Sequence, residues 1–191
     1  MCIIAVTPPN TYLTDEEIDA CWKTNDDGAG FAYVSGGAVK IRKGFMDKAE
    51  FVKALKSVQA KHGKTSPFVI HFRIRTHGKT DAERTHPFRL PDGSALAHNG
   101  VISGSGFYDP VKSDTQIFIE RFGGLLSKEI LAKEKNVLGN AIGYNKFAIL
   151  HNDGDFTIVN DRIGTWDKDR WFSNSSYRPT PNSYAGYYYR D

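Results

Sequence analysis

The sequence predicts an α+β fold with antiparallel sheets, and three observations carry that prediction. Strand-like runs gather toward the two ends of the chain, helical apolar spacings fill the stretches between them, and two strand pairs are joined by turns of hairpin length. Residues 2–6 form the first strand-like run. Thr14 with Glu17 is a capping-box signature and opens a short helix running to about Trp22. Residues 29–34 and 38–43 follow as two strands around Ser35-Gly36-Gly37, a tight turn. Asp47 and Glu50 start a second helix, in which Phe51, Leu55 and Val58 recur at spacings of four and three. That stripe lies on a sheet as far as His62.

Residues 67–74 form the most regular strand, with Phe68, Ile70, Phe72 and Ile74 alternating against Val69, His71 and Arg73. Arg73 therefore leaves the more polar face. Residues 75–93 are polar and turn-rich, longer than an ordinary connector, and so a candidate functional loop. A strand ending at His98 follows. Ser113 and Gln116 box the start of a helix carrying Ile117, Phe118 and Phe122, and residues 127–141 are mostly helical. Residues 146–151 and 155–159 flank Asn152-Asp153-Gly154, a second hairpin, and residues 171–173 add an edge strand. Residues 1–178 are expected to form a single domain, with a Tyr-rich C-terminal tail over 179–191.

A chain of 191 residues can bury a sizeable core without a disulfide or metal. Its net charge is +3, but Lys and Arg are interleaved with Asp and Glu, so no basic stripe directs it to nucleic acid. Cys2 and Cys21 are the two cysteines, the second inside a predicted helix beside Trp22, a pattern of a reduced compartment. The opening apolar run is too short for a secretory signal, and no later run approaches membrane-spanning length. A soluble cytoplasmic protein with no membrane partner is expected. His71, His77, His86 and His98 lack metal-ligand spacing, so no metal or cofactor is expected. His71 reads instead as a core histidine, and His86-Pro87-Phe88 as a loop anchor.

Cys2 stands apart because removal of Met1 would place a thiol and a free α-amine on one residue, a nucleophile carrying its own base. At neutral pH roughly a tenth of such an amine is unprotonated and ready to accept a proton. Four further segments are richer in polar and glycine residues than packing requires. They are Asn25-Asp26-Asp27-Gly28-Ala29-Gly30, residues 71–78 (His-Phe-Arg-Ile-Arg-Thr-His-Gly), His98-Asn99-Gly100 and Ser113-Asp114-Thr115.

In this order behind Cys2, these segments resemble the signature of class II glutamine amidotransferases, whose glutaminase domain is an N-terminal nucleophile hydrolase. The resemblance runs from Cys2 to about Thr115. It implies a four-layer αββα sandwich of two stacked, mainly antiparallel sheets. It further implies that the side-chain amide of L-glutamine is cleaved through a thioester on Cys2, giving glutamate and ammonia. The same resemblance assigns the glutamine α-carboxylate to Arg73, the α-ammonium to Asp114, and the oxyanion hole to the Asn99 amide and the Gly100 N–H. Thr76 and His77 would line the glutamine site, with residues 25–30 in support. A cationic and an anionic clamp are what any zwitterionic amino-acid head requires. Ile74 and Arg75 depart from the pattern, standing where sugar-phosphate-making members carry an aromatic and a small residue.

The chain ends after a glutaminase-sized region, so either a separate synthetase or transferase accepts the ammonia or glutamate and ammonia are the final products, as in a stand-alone bacterial or phage protein. Two readings compete. One is an amidase of the same scaffold acting on a γ-glutamyl or other amide; the other is a catalytically silent ligand-binding module with Met1 retained.

Overall fold

Four layers follow from where apolar side chains fall along each strand. The computed structural model describes residues 1–74, 81–104 and 106–179. Its strands are β1 (Ile3–Thr7), β2 (Ala29–Ser35), β3 (Ala38–Phe45), β4 (Phe68–Phe72), β5 (Phe88–Arg89), β6 (Ala95–Asn99), β7 (Lys146–Leu150), β8 (Phe156–Val159), β9 (Thr165–Asp167) and β10 (Arg170–Phe172). The helices are α1 (Asp15–Thr24), α2 (Lys48–His62), α3 (Asp114–Phe122) and α4 (Lys128–Ile142). One sheet runs β3-β2-β4-β1-β10-β9 and the other β5-β6-β7-β8, with antiparallel pairing throughout.

Successive side chains of a strand point to opposite faces, and both faces of the central strands are buried. On the larger sheet, Ile3, Ala5, Phe68, Ile70 and Phe72 pack with Ile18, Phe51 and Leu55 of α1 and α2. From the opposite face Ile4, Val6 and Val69 meet Ala95, Ala97 and Ala148 of the smaller sheet. Those alanines let the sheets approach closely. The outer face of the smaller sheet presents Leu96, Phe147 and Ile149 to Phe118 of α3 and Leu131 of α4. The result is the expected αββα stack of two antiparallel sheets between helical layers.

Local signals translated directly. Both capping boxes form: the Thr14 hydroxyl accepts from the Glu17 N–H while the Glu17 carboxylate accepts from the Thr14 N–H, and Ser113 and Gln116 repeat the arrangement. Glu17 also holds Arg170 at 2.5 Å in a buried pair that ties α1 to β10. Non-local features correct the sequence reading. Residues 171–173 do not make an edge; β10 lies between β1 and β9, and the very short β9 takes the edge. The more polar face of the 67–74 run, carrying Val69, His71 and Arg73, faces the second sheet, with His71 fully buried and Arg73 6% exposed. Within the candidate loop 75–93 the structure has a 3₁₀ turn at Ala82–Arg84 and the two-residue β5. Residues 75–80 and the tail from 180 onward lie outside the described residues. No helix among the described residues is long and apolar enough to cross a membrane.

Candidate active site

Two strand ends and one helix start meet where the sandwich opens. The β1–β4 register pairs Ile3 with Phe72, so one further step sets Cys2 opposite Arg73. Cys2 shares its face with Ile4 and Val6, and Arg73 with Val69 and His71, so both belong to the layer between the sheets. The Arg73 backbone is pinned by the 25–30 segment: its N–H donates to the Gly28 carbonyl at 2.8 Å, and its carbonyl accepts from the Asp27 N–H at 3.0 Å. Gly28 has φ +109°, and a Cβ there would press on the Thr85 Cγ2 at 2.8 Å. This segment therefore works through its main chain.

Cys2 is held by its carbonyl. The Asn174 Nδ2 donates to it at 2.7 Å, and the Asn99 Nδ2 donates to it from the end of β6. Asn99 shares a face with Ala95 and Ala97, which is why it reaches across to the other sheet. Its Nδ2 also donates to the Ser173 Oγ at 3.1 Å, while its Oδ1 is buried without a hydrogen-bond partner. The Cys2 thiol donates to the Ile74 carbonyl at 3.4 Å. Burial pushes that thiol above its ordinary range, with backbone hydrogen bonding at Ile74, the chain's terminal ammonium and Arg73 pulling it back.

Asp114 opens α3, where the helix N-terminus favours a carboxylate. Its Oδ2 accepts from the Ile102 N–H at 2.7 Å and its Oδ1 from the Thr115 N–H at 2.8 Å, so it ties the chain just after Gly100 to the helix. A cleft of about 580 Å³ is lined by Cys2, Arg73, Gly100 and Asp114, with Ile102, Phe107 and Tyr108 among its apolar walls and Arg84 and Lys112 among its cations. Arg84 bridges the two sides, donating through Nε to the Val111 carbonyl at 2.9 Å and pairing with Asp81.

Three imidazoles cluster at the cleft, His86 and His98 among its lining residues and His71 behind them. Asn145 donates its Nδ2 to the Ile142 carbonyl at 2.7 Å, which turns its Oδ1 to the His98 Nε2 at 2.8 Å and assigns the proton to that nitrogen. The His98 Nδ1 then accepts from the Thr115 hydroxyl at 2.7 Å. With that hydrogen used, the His86 Nε2, 3.3 Å from the Thr115 Oγ1, donates to it. His71 donates its Nε2–H to the His98 carbonyl at 3.2 Å, and its ring centroid lies 4.3 Å from that of His86. Burial pushes His71 down to about 3, helped by the charge of Arg73. Burial likewise carries His86 well below the ordinary histidine value, and lowers His98 against the opposing pull of Asp114. All three are neutral at pH 7. Among the described residues no cluster of His, Cys, Asp and Glu has a metal-binding arrangement.

Of the residues singled out in the sequence, Cys2, Arg73, Gly100 and Asp114 line one cleft, and Asn99 holds the Cys2 carbonyl. Thr76 and His77 lie outside the described residues. His86 and His71 are the loop anchor and core histidine expected of them. The sequence reading missed Asn174, which holds the Cys2 carbonyl from the far end of the chain, Ser173, whose hydroxyl accepts from the Ile4 N–H and the Asn99 amide, and Asn145, which braces His98. A lone Asn or Ser beside a turn carries no local sign of such a role.

The stack of two antiparallel sheets between helical layers is that of the N-terminal nucleophile hydrolase fold. A solved structure that shares it is glutamine phosphoribosylpyrophosphate (PRPP) amidotransferase from B. subtilis, complexed with ADP and GMP. The TM-score is 0.53 at 18% identity, and the match covers 90% of this chain and 41% of that one. This chain thus spans less than half the length of that protein. At this identity the likeness concerns the fold. No family model and no curated protein matches the sequence.

Proposed function

We propose that the protein is a glutamine-hydrolysing enzyme of the class II amidotransferase type, acting through Cys2. The observation that carries this reading is the convergence of Cys2, a cation, a glycine and a carboxylate on one cleft. Met1 is 67% exposed, so its removal uncovers the Cys2 nitrogen without disturbing the core. The freed α-amine takes the thiol proton and the sulfur attacks the glutamine side-chain carbonyl. The C–N bond of the resulting tetrahedral intermediate breaks, ammonia leaves with the proton returned by the amine, and water hydrolyses the glutamyl thioester to glutamate.

Arg73 receives the α-carboxylate and Asp114 the α-ammonium. The Gly100 N–H and the Asn99 amide receive the oxyanion, Asn99 by yielding its hydrogen bond to Ser173. Thr76 and His77 belong to the same substrate site in this reading, and a separate ammonia-accepting synthetase or transferase completes it. The fold shared with an amidotransferase supports this assignment without specifying the substrate.

Intact-protein mass spectrometry after incubation with a glutamine-shaped diazoketone tests the proposal. Loss of Met1 with one adduct on Cys2 is the expected result. Met1 removed without an adduct would point to another amide, and Met1 retained without an adduct to a ligand-binding module. Arg73→Ala and Asp114→Ala should each raise KM for glutamine by about 10- to 100-fold, the worth of one charged hydrogen bond, with a smaller change in kcat. Steady-state kinetics checks this, and an unchanged KM in both variants would remove the two clamps from the scheme.

A further inference from the structure

We propose that Asn145 is a positioning residue that holds the Gly100 backbone, with its orientation set by His98. The inference rests on the glutaminase reading for the role of Gly100, and on the following geometry for everything else. β6 and β7 pair Asn99 with Lys146, so the next step of the ladder sets Gly100 opposite Asn145. Gly100 has φ +142°, a conformation that side chains disfavour. The space its missing Cβ would fill is taken by the Asn145 side chain: a Cβ there would stand 2.8 Å from the Asn145 Cγ and 3.1 Å from its Cα, and would collide with its Oδ1. The absent side chain of one residue and the present side chain of the other form a matched pair.

Asn145 is itself fixed on every side. Its amide donates to the Ile142 carbonyl and accepts from His98, as described above. Its own N–H donates to the Ile142 carbonyl at 3.2 Å, and its carbonyl accepts from the Asn160 Nδ2 at 2.8 Å. The Asn160 Nδ2 also lies 2.7 Å from the Gly143 carbonyl, at the end of α4. From Asn145 the chain of hydrogen bonds continues through His98 to Thr115, the neighbour of Asp114. One buried network thus sets the relative placement of the oxyanion donor and the ammonium clamp. Loss of the Asn145 amide would strand the His98 N–H and open space beside Gly100.

The test compares Asn145→Ala with Asn145→Asp, which retains an acceptor for His98 and keeps the experiment available if the alanine variant does not fold. Three ligands are read: glutamine as substrate, glutamate as product, and glutamate γ-semialdehyde, whose aldehyde forms a tetrahedral adduct with a thiol. A displaced oxyanion donor should lower kcat by about 10- to 100-fold with KM within about twofold. Affinity for the aldehyde should fall by the same factor while glutamate binding holds, because only the tetrahedral species uses the oxyanion site. Asn145→Asp should recover part of both losses. Equal losses for aldehyde and glutamate, or an unchanged kcat, would overturn the assignment.

The Gly100 amide resonance of the ligand-free protein separates this inference from the glutaminase reading. It should shift and exchange faster in Asn145→Ala, and an unmoved Gly100 amide overturns the positioning role whatever the wild-type activity. A moved Gly100 amide in a protein that neither hydrolyses glutamine nor binds the aldehyde would uphold the positioning and overturn the glutaminase reading.

Discussion

Cys2→Ala should abolish glutamine turnover, with kcat reduced by at least about 10⁴-fold, as expected when a covalent nucleophile is removed. The fold should survive, because Cys2 is held chiefly by its carbonyl, which alanine keeps, through Asn99 and Asn174. Among the described residues the side-chain hydrogen bond lost is the long thiol contact to the Ile74 carbonyl. Glutamine should still bind to the variant, since the clamps sit on Arg73 and Asp114, and calorimetry on the inactive protein would measure it directly. The chemistry also makes the α-amine indispensable. Burial holds the Cys2 thiol in its neutral form at pH 7, so the sulfur is not a ready-made thiolate and needs a base beside it. The three imidazoles are poorer bases than an ordinary histidine because burial lowers all of them, and among the described residues the thiol's hydrogen bond goes to the Ile74 carbonyl and to none of them. A protein retaining Met1 should therefore be as inactive as Cys2→Ala. Near-normal turnover by either would sink the mechanism.

What the sequence made legible was local. Two capping boxes, two hairpins and the helical stripe of Phe51, Leu55 and Val58 are signals that span a few residues, and each formed as expected. The layer between the sheets was not legible. Val69, His71 and Arg73 read as the more polar face of their strand, with no sign in the sequence that a second sheet covers it. The same reason hid β10. Trp171 looks like an edge residue by its distance from other strands in sequence, yet it is buried between the sheets and donates to the Asp161 carbonyl at 3.0 Å. Within the site, the residues that carry unusual chemistry were visible by type, and the residues that hold them in place were not. Ser173 and Asn145 act through register across sheets and ladders, and no spacing along the chain encodes that.

The histidine cluster makes the folded protein acid-sensitive well above the carboxylate range. His71, His86 and His98 are all displaced below the ordinary value, by burial first, and Arg73 adds to the displacement of His71 and His86. Lys43 acts on His86 in the same direction and Lys146 on His98, against the opposing carboxylate of Asp114. The unfolded chain protonates these imidazoles near pH 6.5 while the folded one does not, so below that pH the unfolded state binds more protons and stability falls as pH falls. Well below pH 6.5 a histidine that stays neutral in the fold contributes about 1.4 kcal/mol per pH unit, so His71 and His86 together contribute about 3 kcal/mol per unit, and His98 acts in the same direction. His151, at the end of β7, is shifted the same way by burial and adds to the slope. Set against a typical stability of about 5–15 kcal/mol, this is a large loss by pH 5. Urea unfolding between pH 7.5 and 5.5 would measure it. His71→Gln should lose stability at pH 7.5 but show a shallower pH dependence, by a difference approaching one proton at pH 5.5, because His71 stays neutral down to about 3 in the fold. A wild-type slope of one proton or fewer at pH 5.5 would mean that the cluster admits water or charge, with the Thr115 hydroxyl that joins His86 to His98 as the contact that opens.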